Sequence, residues 1–380
     1  MRLTTALAAA LIAATGCAPS VGTSATAPRP GASDRAALSA PAVPGGGAAT
    51  GAGRHGPHDP MPPVSGSPLA PGSGLRLLVT GEAGAFRLDV DSRVRTRVRG
   101  LPYGERTWAF TAGSRELVLT TPSDADAEGH LFLLSGDRAR RLGGRVLFAF
   151  AAADGEGVWA LQRVRGDDCS LRPLDFRGRE HGGALRVACS RAPAQDTPQG
   201  LLSFAEQGRT LLLDRATGDE VFAEQRVHAA TRDFVLVSKG SRLALVEPKA
   251  ARRTPLRAPA TEGIPSTAEV SPDGRRIAVW FADPAWPGPR QYLDVQVLDL
   301  GTRAWTRLPS MPVPTSIKST SMAWTRDGRL VLAGDFVTTD KVMPAESDYA
   351  SFVVAWRPGE PRLSLRRLDL PRRHQVRLSP

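Results

Sequence analysis

The sequence predicts an all-β fold, a single β-propeller that follows an export signal and a long linker. From Leu75 onward, short β-like runs alternate with turns rich in Gly, Asp and Pro, and no long 3.6-residue period appears. One unit then recurs: a hydrophobic strand end, a short turn that contains Gly, and a second strand. Units of about 40 residues with four short strands are typical of propeller blades. We therefore expect residues 75–380 to form one propeller, with seven blades.

The recurring units are found by their turn glycines, which stand at positions 113, 155, 208, 240, 274 and 328. A further blade can be assembled from both ends of the domain. Leu75–Gly100 supplies three strands, and the terminal Gln375–Pro380 resembles the strand that opens the unit at Glu269. If this terminal segment pairs with the first blade, the ring closes between the two ends of the domain.

One turn resembles the repeat of a known family. Ser271-Pro272-Asp273-Gly274, followed by Arg-Arg-Ile-Ala-Val, resembles the repeat of TolB-type, WD-like propellers, and the segment from Thr325 is a degraded copy. In that family the motif is a tight turn between the two inner strands of a blade. Pro presets φ, Asp caps the turn and Gly accepts a positive φ. The resemblance implies a fold, and it implies no function, because propellers host enzymes, binders and scaffolds alike.

The first 16 residues have the pattern of a secretory signal peptide: Arg2, then a short apolar stretch, then small residues. Ala14-Thr15-Gly16-Cys17 resembles the lipobox of bacterial lipoproteins, with Ala14 in place of the usual Leu. In that family the Cys carries diacylglycerol and the signal is cut just before it. The resemblance implies that Cys17 is lipidated. The alternative is an ordinary signal peptide, in which Cys17 has no role.

The segment from Cys17 to Gly74 is predicted to be a disordered linker. Residues 18–72 contain no Phe, Trp or Tyr and consist mostly of Pro, Ala, Gly, Ser and Thr. Such a segment cannot bury enough apolar surface to offset its ordering entropy. A coil of this length spans on the order of 40 Å, so it would hold the propeller clear of a membrane.

The chain has three cysteines, and two remain if Cys17 is acylated. Cys169 and Cys189 flank two strand-like runs around a loop near residues 177–183. On an antiparallel hairpin they would face each other at nearly disulfide distance. We expect a disulfide in an oxidising compartment. The alternative is two buried free thiols.

The formal net charge of +11 does not indicate nucleic-acid binding. Only four of the 49 basic residues are Lys, and the Arg residues are scattered along strand-like segments rather than clustered. A nucleic-acid binder usually shows a basic stripe. A basic surface that faces anionic lipid or a wall polymer fits the charge better.

Candidate functional residues lie in two loops. Trp286 stands in a Pro-rich insertion, with Asp283 and Arg290 at its ends, and would anchor a partner. Asp124, Asp126 and Glu128 alternate before a Gly, as calcium ligands do, although Ser135 stands where an EF-hand loop carries its bidentate Glu. The alternative for the acidic segment is a solvated hairpin loop. We expect no other cofactor.

The sequence contains no G-x-S-x-G, H-E-x-x-H, Walker or C-x-x-C motif. We therefore expect a non-enzymatic binding or scaffold module, monomeric and anchored outside the cytoplasm through diacylglycerol on Cys17. Its partner would be a protein, a peptide or a wall glycan. The alternative is an extracytoplasmic glycan or peptide hydrolase with its site at the central channel, for which Asp233 and Glu269 are candidate carboxylates.

Overall fold

A computed structural model describes residues 62–379 with the exception of 82–83, 103–105, 123–126, 205–208, 241, 251, 262, 283–290, 316–319, 342–344 and 371–373. The predicted signal peptide and most of the predicted linker lie outside these residues. In the described part the regular structure is β-strand, apart from three single-turn 3-10 helices at Cys189–Arg191, Pro248–Ala250 and Glu346–Asp348. No described segment forms a helix of the length and hydropathy needed to cross a membrane.

The strands form successive four-stranded antiparallel units, which we call blades one to seven. Blade one combines the last strand of the chain, β30 (His374–Ser379), with β2 (Arg76–Gly81), β3 (Gly84–Asp89) and β4 (Arg95–Arg97). Blades two and three, from the innermost strand outward, are β5 (Arg106–Ala112), β6 (Arg115–Thr121), β7 (Gly129–Ser135) and β8 (Arg138–Val146), then β9 (Phe148–Ala151), β10 (Gly157–Arg165), β11 (Asp168–Asp175) and β12 (Leu185–Ala188).

Blades four and five are β13 (Pro193–Thr197), β14 (Gly200–Phe204), β15 (Thr210–Leu213) and β16 (Glu220–Glu224), then β17 (Arg226–Ala230), β18 (Val235–Lys239), β19 (Arg242–Glu247) and β20 (Arg252–Pro255). Blades six and seven are β21 (Ile264–Val270), β22 (Arg276–Ala282), β23 (Gln291–Asp299) and β24 (Trp305–Arg307), then β26 (Ser321–Trp324), β27 (Leu330–Val337), β28 (Tyr349–Trp356) and β29 (Ser364–Leu368). A short strand, β25 (Val313–Thr315), joins these two blades into one ten-stranded sheet. The remaining strand is β1 (Ser67–Pro68).

The blades are arranged in a ring. Inner strands of neighbouring blades contact each other, including β5 with β9, β21 with β26, and β26 with β30. The hydrophobic cores lie between blades: Leu117 of blade two packs with Ala160 of blade three, and Trp280 of blade six packs with Leu332 of blade seven. Each sheet therefore buries a face against the next, and the predicted all-β propeller is confirmed.

The ring closes where the two ends of the domain meet. β30 pairs antiparallel with β2, with Arg76 opposite Ser379 and Gly81 opposite His374, so the predicted pairing of the terminal segment with the first blade is confirmed. A second closure was not predicted. β1 pairs in parallel with β29, and Leu69, which the sequence assigned to the linker, is 7% exposed. Ordered structure therefore begins before Leu75, because this segment satisfies an outer strand edge that would otherwise be open.

The turn glycines have two different positions in the blades. Gly113, Gly155, Gly274 and Gly328 lie between first and second strands with positive φ, as the tight turn requires. Gly240 lies between the second and third strands of blade five, and position 208, outside the described residues, falls between β14 and β15. The repeat was thus placed one hairpin too far in two blades, because both kinds of hairpin have similar turn residues.

A second recurring turn escaped the sequence reasoning. Leu-Asp-x-x-[Ser/Thr] occurs at the third-to-fourth-strand turns of blades one, four and six, where the Asp residues are Asp89, Asp214 and Asp299. In each turn the carboxylate accepts the backbone N–H three residues later, at 2.8 to 2.9 Å. These backbone hydrogen bonds lower the pKa of all three carboxyl groups.

The predicted disulfide is present: Cys169 and Cys189 are bonded, with their Cα atoms 5.1 Å apart. Their expected register was wrong by two residues. Cys169 pairs with Val187 across β11 and β12, and Cys189 opens the 3-10 turn after the strand. The bond therefore fastens the end of blade three and the start of the connection to blade four.

Candidate functional site

Topology divides the connections of the propeller between two ends. In a four-stranded antiparallel meander, the connection from the second to the third strand and the connection to the next blade leave from the same end. We call this the loop end, and we call the opposite end, where most hairpins are shorter, the turn end. The longest connections between blade strands, residues 308–320, which include β25, and residues 338–348, belong to the loop end.

Both predicted loops leave from the loop end. The segment with Asp283, Trp286 and Arg290 joins β22 to β23, and the segment with Asp124 and Asp126 joins β6 to β7. These five residues lie outside the described residues. Their flanking strands nevertheless fix the end of the ring from which the two loops emerge.

Glu128 is the one candidate calcium ligand that the structure describes. It is half-buried, and one of its carboxylate oxygens accepts a hydrogen bond from Arg145 Nε at 2.8 Å. Among the described residues, no three His, Cys, Asp or Glu side chains come together in a way that would hold a metal ion. The calcium site stays a prediction, since two of its three ligands fall in the undescribed loop.

The connection at 338–348 is fastened by a single carboxylate. Asp348 accepts hydrogen bonds from Lys341 Nζ at 3.1 Å and from the backbone N–H of Ala345 at 2.8 Å. Its own carbonyl accepts the Thr338 N–H at 2.7 Å. The hydrogen bond from Ala345 lowers the pKa of Asp348. This loop is thereby tied to its base, and its short 3-10 turn is fixed.

Two opposite charges lie on inner strands of the ring. Glu269 on β21 and Arg377 on β30 are half-buried and interact electrostatically across blade seven, which lies between them. The Nε of Arg377 donates to the carbonyl of Ala109 on β5 at 3.1 Å. Desolvation raises the pKa of Glu269 to about 7, although Arg377 opposes this shift. A carboxyl group whose pKa is raised toward neutral pH is a candidate acid–base group.

His228, on the strand β17 beside β21, has a hydrogen-bond partner within its own blade. His228 on β17 is buried, and its Nε2 lies 2.8 Å from Ser238 Oγ in the same blade. Desolvation lowers the pKa of His228 to about 4, and Arg226 shifts it in the same direction. Asp233, the other predicted carboxylate, is exposed in the turn between β17 and β18.

Other buried carboxylates join neighbouring blades. Asp196 on β13 accepts from Trp159 Nε1 at 2.9 Å, from the backbone N–H of Ala153 at 3.0 Å and from Arg215 Nε at 2.8 Å. Trp159 and Ala153 belong to blade three, and Asp196 to blade four. A carboxylate that accepts several hydrogen bonds from two blades stabilises the contact between them.

Sequence reasoning missed Arg377 and the connecting role of Asp196. For Arg377 the one available signal was its position on the predicted closing strand. Asp196 had no such signal, because the repeat in blade four was placed one hairpin too far. The sequence gives no sign that Glu269 and Arg377 meet, because their proximity depends on closure of the ring.

No protein-family model and no curated protein matches the sequence. Solved structures with similar folds include a putative 6-phosphogluconolactonase from Bacteroides fragilis, with 9% identity and a TM-score of 0.46 over 81% of this chain and 98% of that chain. A chain of the mitotic checkpoint complex is similar at 13% identity and a TM-score of 0.47, over 79% of this chain and 94% of that one. The β-propeller domain of Cps50 (Swd1) from Myceliophteria thermophila matches at 12% identity and a TM-score of 0.42, over 73% and 95%. No function is transferred from them.

Proposed function

We propose that this protein is an extracytoplasmic lipoprotein whose propeller binds a protein, peptide or wall glycan without chemical turnover. Cys17 would carry the lipid, and the residues up to about 61 would be the tether. The observation that carries the proposal is topological. The Trp286 loop, the acidic loop and the long connections at 308–320 and 338–348 all leave from one end of a rigid ring. Loops clustered on a rigid scaffold are where binding residues concentrate.

The buried carboxylates support the same proposal. Asp196 and Asp348 each accept several hydrogen bonds from their own surroundings. Their side chains therefore stabilise the ring and its loops, and the loop end is left to make contacts with a partner. Trp286 supplies the type of side chain that most often anchors an interface, and the neighbouring prolines reduce the entropy lost on binding.

The anchor is tested by substitution of the lipidated residue. Cys17→Ala should release the protein into the medium, because stable anchoring requires acyl chains on this residue. The readout is the share of protein in the membrane fraction. Retention of the Cys17→Ala protein in the membrane after a high-salt wash would contradict the anchor.

The binding end is tested by two arginines of blade six. Arg290 directly precedes β23 at the loop end, and Arg275 precedes β22 at the turn end, where it is exposed. Immobilised mature protein is offered purified wall-glycan fragments and envelope proteins. Trp286→Ala and Arg290→Ala should weaken capture, by about thirtyfold for an anchoring Trp, whereas Arg275→Ala should leave it unchanged. Equal losses at both ends would contradict the proposal.

The alternative of a hydrolase rests on Glu269. A carboxyl group with a pKa of about 7 beside Arg377 has the properties of a general acid. Turnover of a glycan or peptide library by the pure domain, abolished in Glu269→Gln, would establish this alternative. If the propeller is a non-enzymatic binding module, Glu269→Gln changes only the stability of the fold. Because the folded pKa is raised above the ordinary 4.5, the carboxyl destabilises the fold as pH rises from about 4.5 through 7. The variant should match wild type at pH 4 and be more stable at pH 8.

A further inference from the structure

A groove lies on the outer rim of the propeller, where blade seven meets blade one. We call it the seam groove; its volume is about 520 Å³. It is lined by three apolar side chains and four charged ones: Leu88, Val90, Leu368, Arg93, Arg95, Arg367 and Asp369. The apolar residues are at most 7% exposed and form its floor. The three guanidinium groups and one carboxylate give it a net positive charge.

The arginines of the seam groove differ in their contacts. Arg95 crosses the seam, with its Nη2 3.0 Å from Asp369 Oδ2, and its guanidinium lies 5.4 Å from the centre of the Phe86 ring. Arg93 and Arg367 are exposed, and neither side chain makes a hydrogen bond or ion pair to any other described residue. The single carboxylate of the groove is therefore used by Arg95, and two cations remain available to an anionic ligand.

The tether begins on the same rim. β1 runs along the outer edge of β29 and pairs with Ser364 and Leu365. Arg367 follows on the same strand and Asp369 directly after it, and both are part of the seam groove. The undescribed chain leaves at residue 62, five residues before β1. A membrane that holds Cys17 would therefore be connected to the propeller on the rim that carries the groove.

We propose that the seam groove binds the phosphate headgroups of anionic phospholipids in the membrane to which Cys17 is anchored. The anchor itself rests on the proposed function. Guanidinium groups pair with phosphate oxygens in bidentate geometry, which favours Arg over Lys at such a site. Two free arginines bind a headgroup weakly. The tether compensates, because a linker between the anchor and the groove makes the second contact intramolecular and raises its effective concentration.

Arg93 has a close structural match elsewhere in the ring. It stands at φ 60° in the Leu-Asp-x-x-Ser turn of blade one, and Arg303 stands at φ 58° in the equivalent turn of blade six. The backbone N–H of each donates to the carbonyl of the Asp that opens the turn, at 2.9 and 2.8 Å. Substitution by Asn, which tolerates this conformation, removes the charge with the same backbone requirement at both sites. Arg303→Asn is therefore a matched control for Arg93→Asn.

The test uses the mature chain with Cys17→Ala, so that acylation cannot bind it to lipid. It is sedimented with vesicles of phosphatidylcholine alone or with phosphatidylglycerol at about one lipid in three, at low and high salt. Binding should require phosphatidylglycerol and fall with salt. Arg93→Asn with Arg367→Gln should reduce partitioning roughly fivefold for each arginine, about 25-fold in all, whereas Arg303→Asn should not.

Three results would overturn the proposal: equal binding to both vesicle types, unchanged partitioning of the double variant, or a preference for soluble poly(glycerol phosphate) over vesicles. Melting temperatures of the variants confirm that each is folded. Failure of the anchor is seen separately, as wild-type protein that carries no lipid on Cys17. The groove and the anchor can therefore fail independently.

Discussion

The junction between blades three and four and the seam around blade one solve the same packing problem with different chain connections. At the former, the chain runs from β12 through one 3-10 turn into β13, and Asp196 joins the two blades. At the seam, both ends of the domain must be held without a covalent link between them. There the polar contacts are more numerous, and several of them join residues that are far apart in sequence.

Two groups of contacts hold the seam. Arg366 on β29 donates to the carbonyls of Val90 and Leu69, at 2.7 and 2.8 Å, and to Asp91 Oδ1 at 3.0 Å. Glu116 on β6 accepts from Arg87 Nε at 2.6 Å and from the Ser379 hydroxyl, which is 263 residues away in sequence. One carboxylate of blade two thus binds both the early and the terminal strands of blade one. Where the chain is not continuous, buried ion pairs and hydrogen bonds take over its role.

The largest expected effect comes from removal of the closing strand. Deletion of Gln375–Pro380 takes away the inner strand of blade one and exposes the edge of β2. The free energy of unfolding should fall by on the order of 5 kcal/mol or more, measured by thermal or denaturant unfolding. As a control, removal of residues 18–61 should leave the melting temperature unchanged. If the variant that lacks Gln375–Pro380 has the wild-type melting temperature, the closing strand is not what holds the seam.

The next effect isolates the carboxylate that holds both ends. Glu116→Ala leaves Arg87, whose side chain is 19% exposed, without its partner. Loss of one member of a buried pair costs about 3–5 kcal/mol, which chemical denaturation can measure. Glu116→Leu combined with Arg87→Met should recover most of this loss, because no charge is then left unpaired. If the double variant is no more stable than Glu116→Ala, the cost does not come from the unpaired charge.

Substitution at the junction between blades three and four should reduce the free energy of unfolding less. Asp196→Asn keeps an oxygen for Trp159 Nε1 and loses the charge that pairs with Arg215. We expect a loss of about 1–3 kcal/mol, below that of Glu116→Ala, because the covalent connection from blade three to blade four persists. A loss larger than that of Glu116→Ala would reverse the comparison between the two junctions.

The smallest effect concerns two equivalent turns. Arg93 and Arg303 both have a positive φ, a conformation that Gly adopts without strain. Arg93→Gly and Arg303→Gly should each change stability by less than about 1 kcal/mol, since relief of strain is offset by greater freedom of the unfolded chain. Melting curves of the two variants should agree. A clear difference would show that the turn at the seam has a further structural role.

The sequence by itself determined the features that depend on neighbouring residues. The strand-and-turn pattern predicted the all-β propeller, the terminal Gln375–Pro380 predicted its closing strand, and the spacing of Cys169 and Cys189 predicted the disulfide. These patterns are readable because turn chemistry and hairpin pairing act within a few residues. In blades four and five the repeat was assigned to the wrong hairpin, because the turns between first and second strands and those between second and third strands have similar residues.

Only the tertiary structure decided what meets across the ring. The electrostatic interaction of Glu269 with Arg377, the shared use of Glu116 by Arg87 and Ser379, and the pairing of β1 with β29 all join segments distant in sequence. No local pattern encodes such contacts, because they follow from the angle at which each blade turns relative to the last. The grouping of charges on the inner strands and in the seam groove therefore could not be predicted from the sequence, because it depends on closure of the ring.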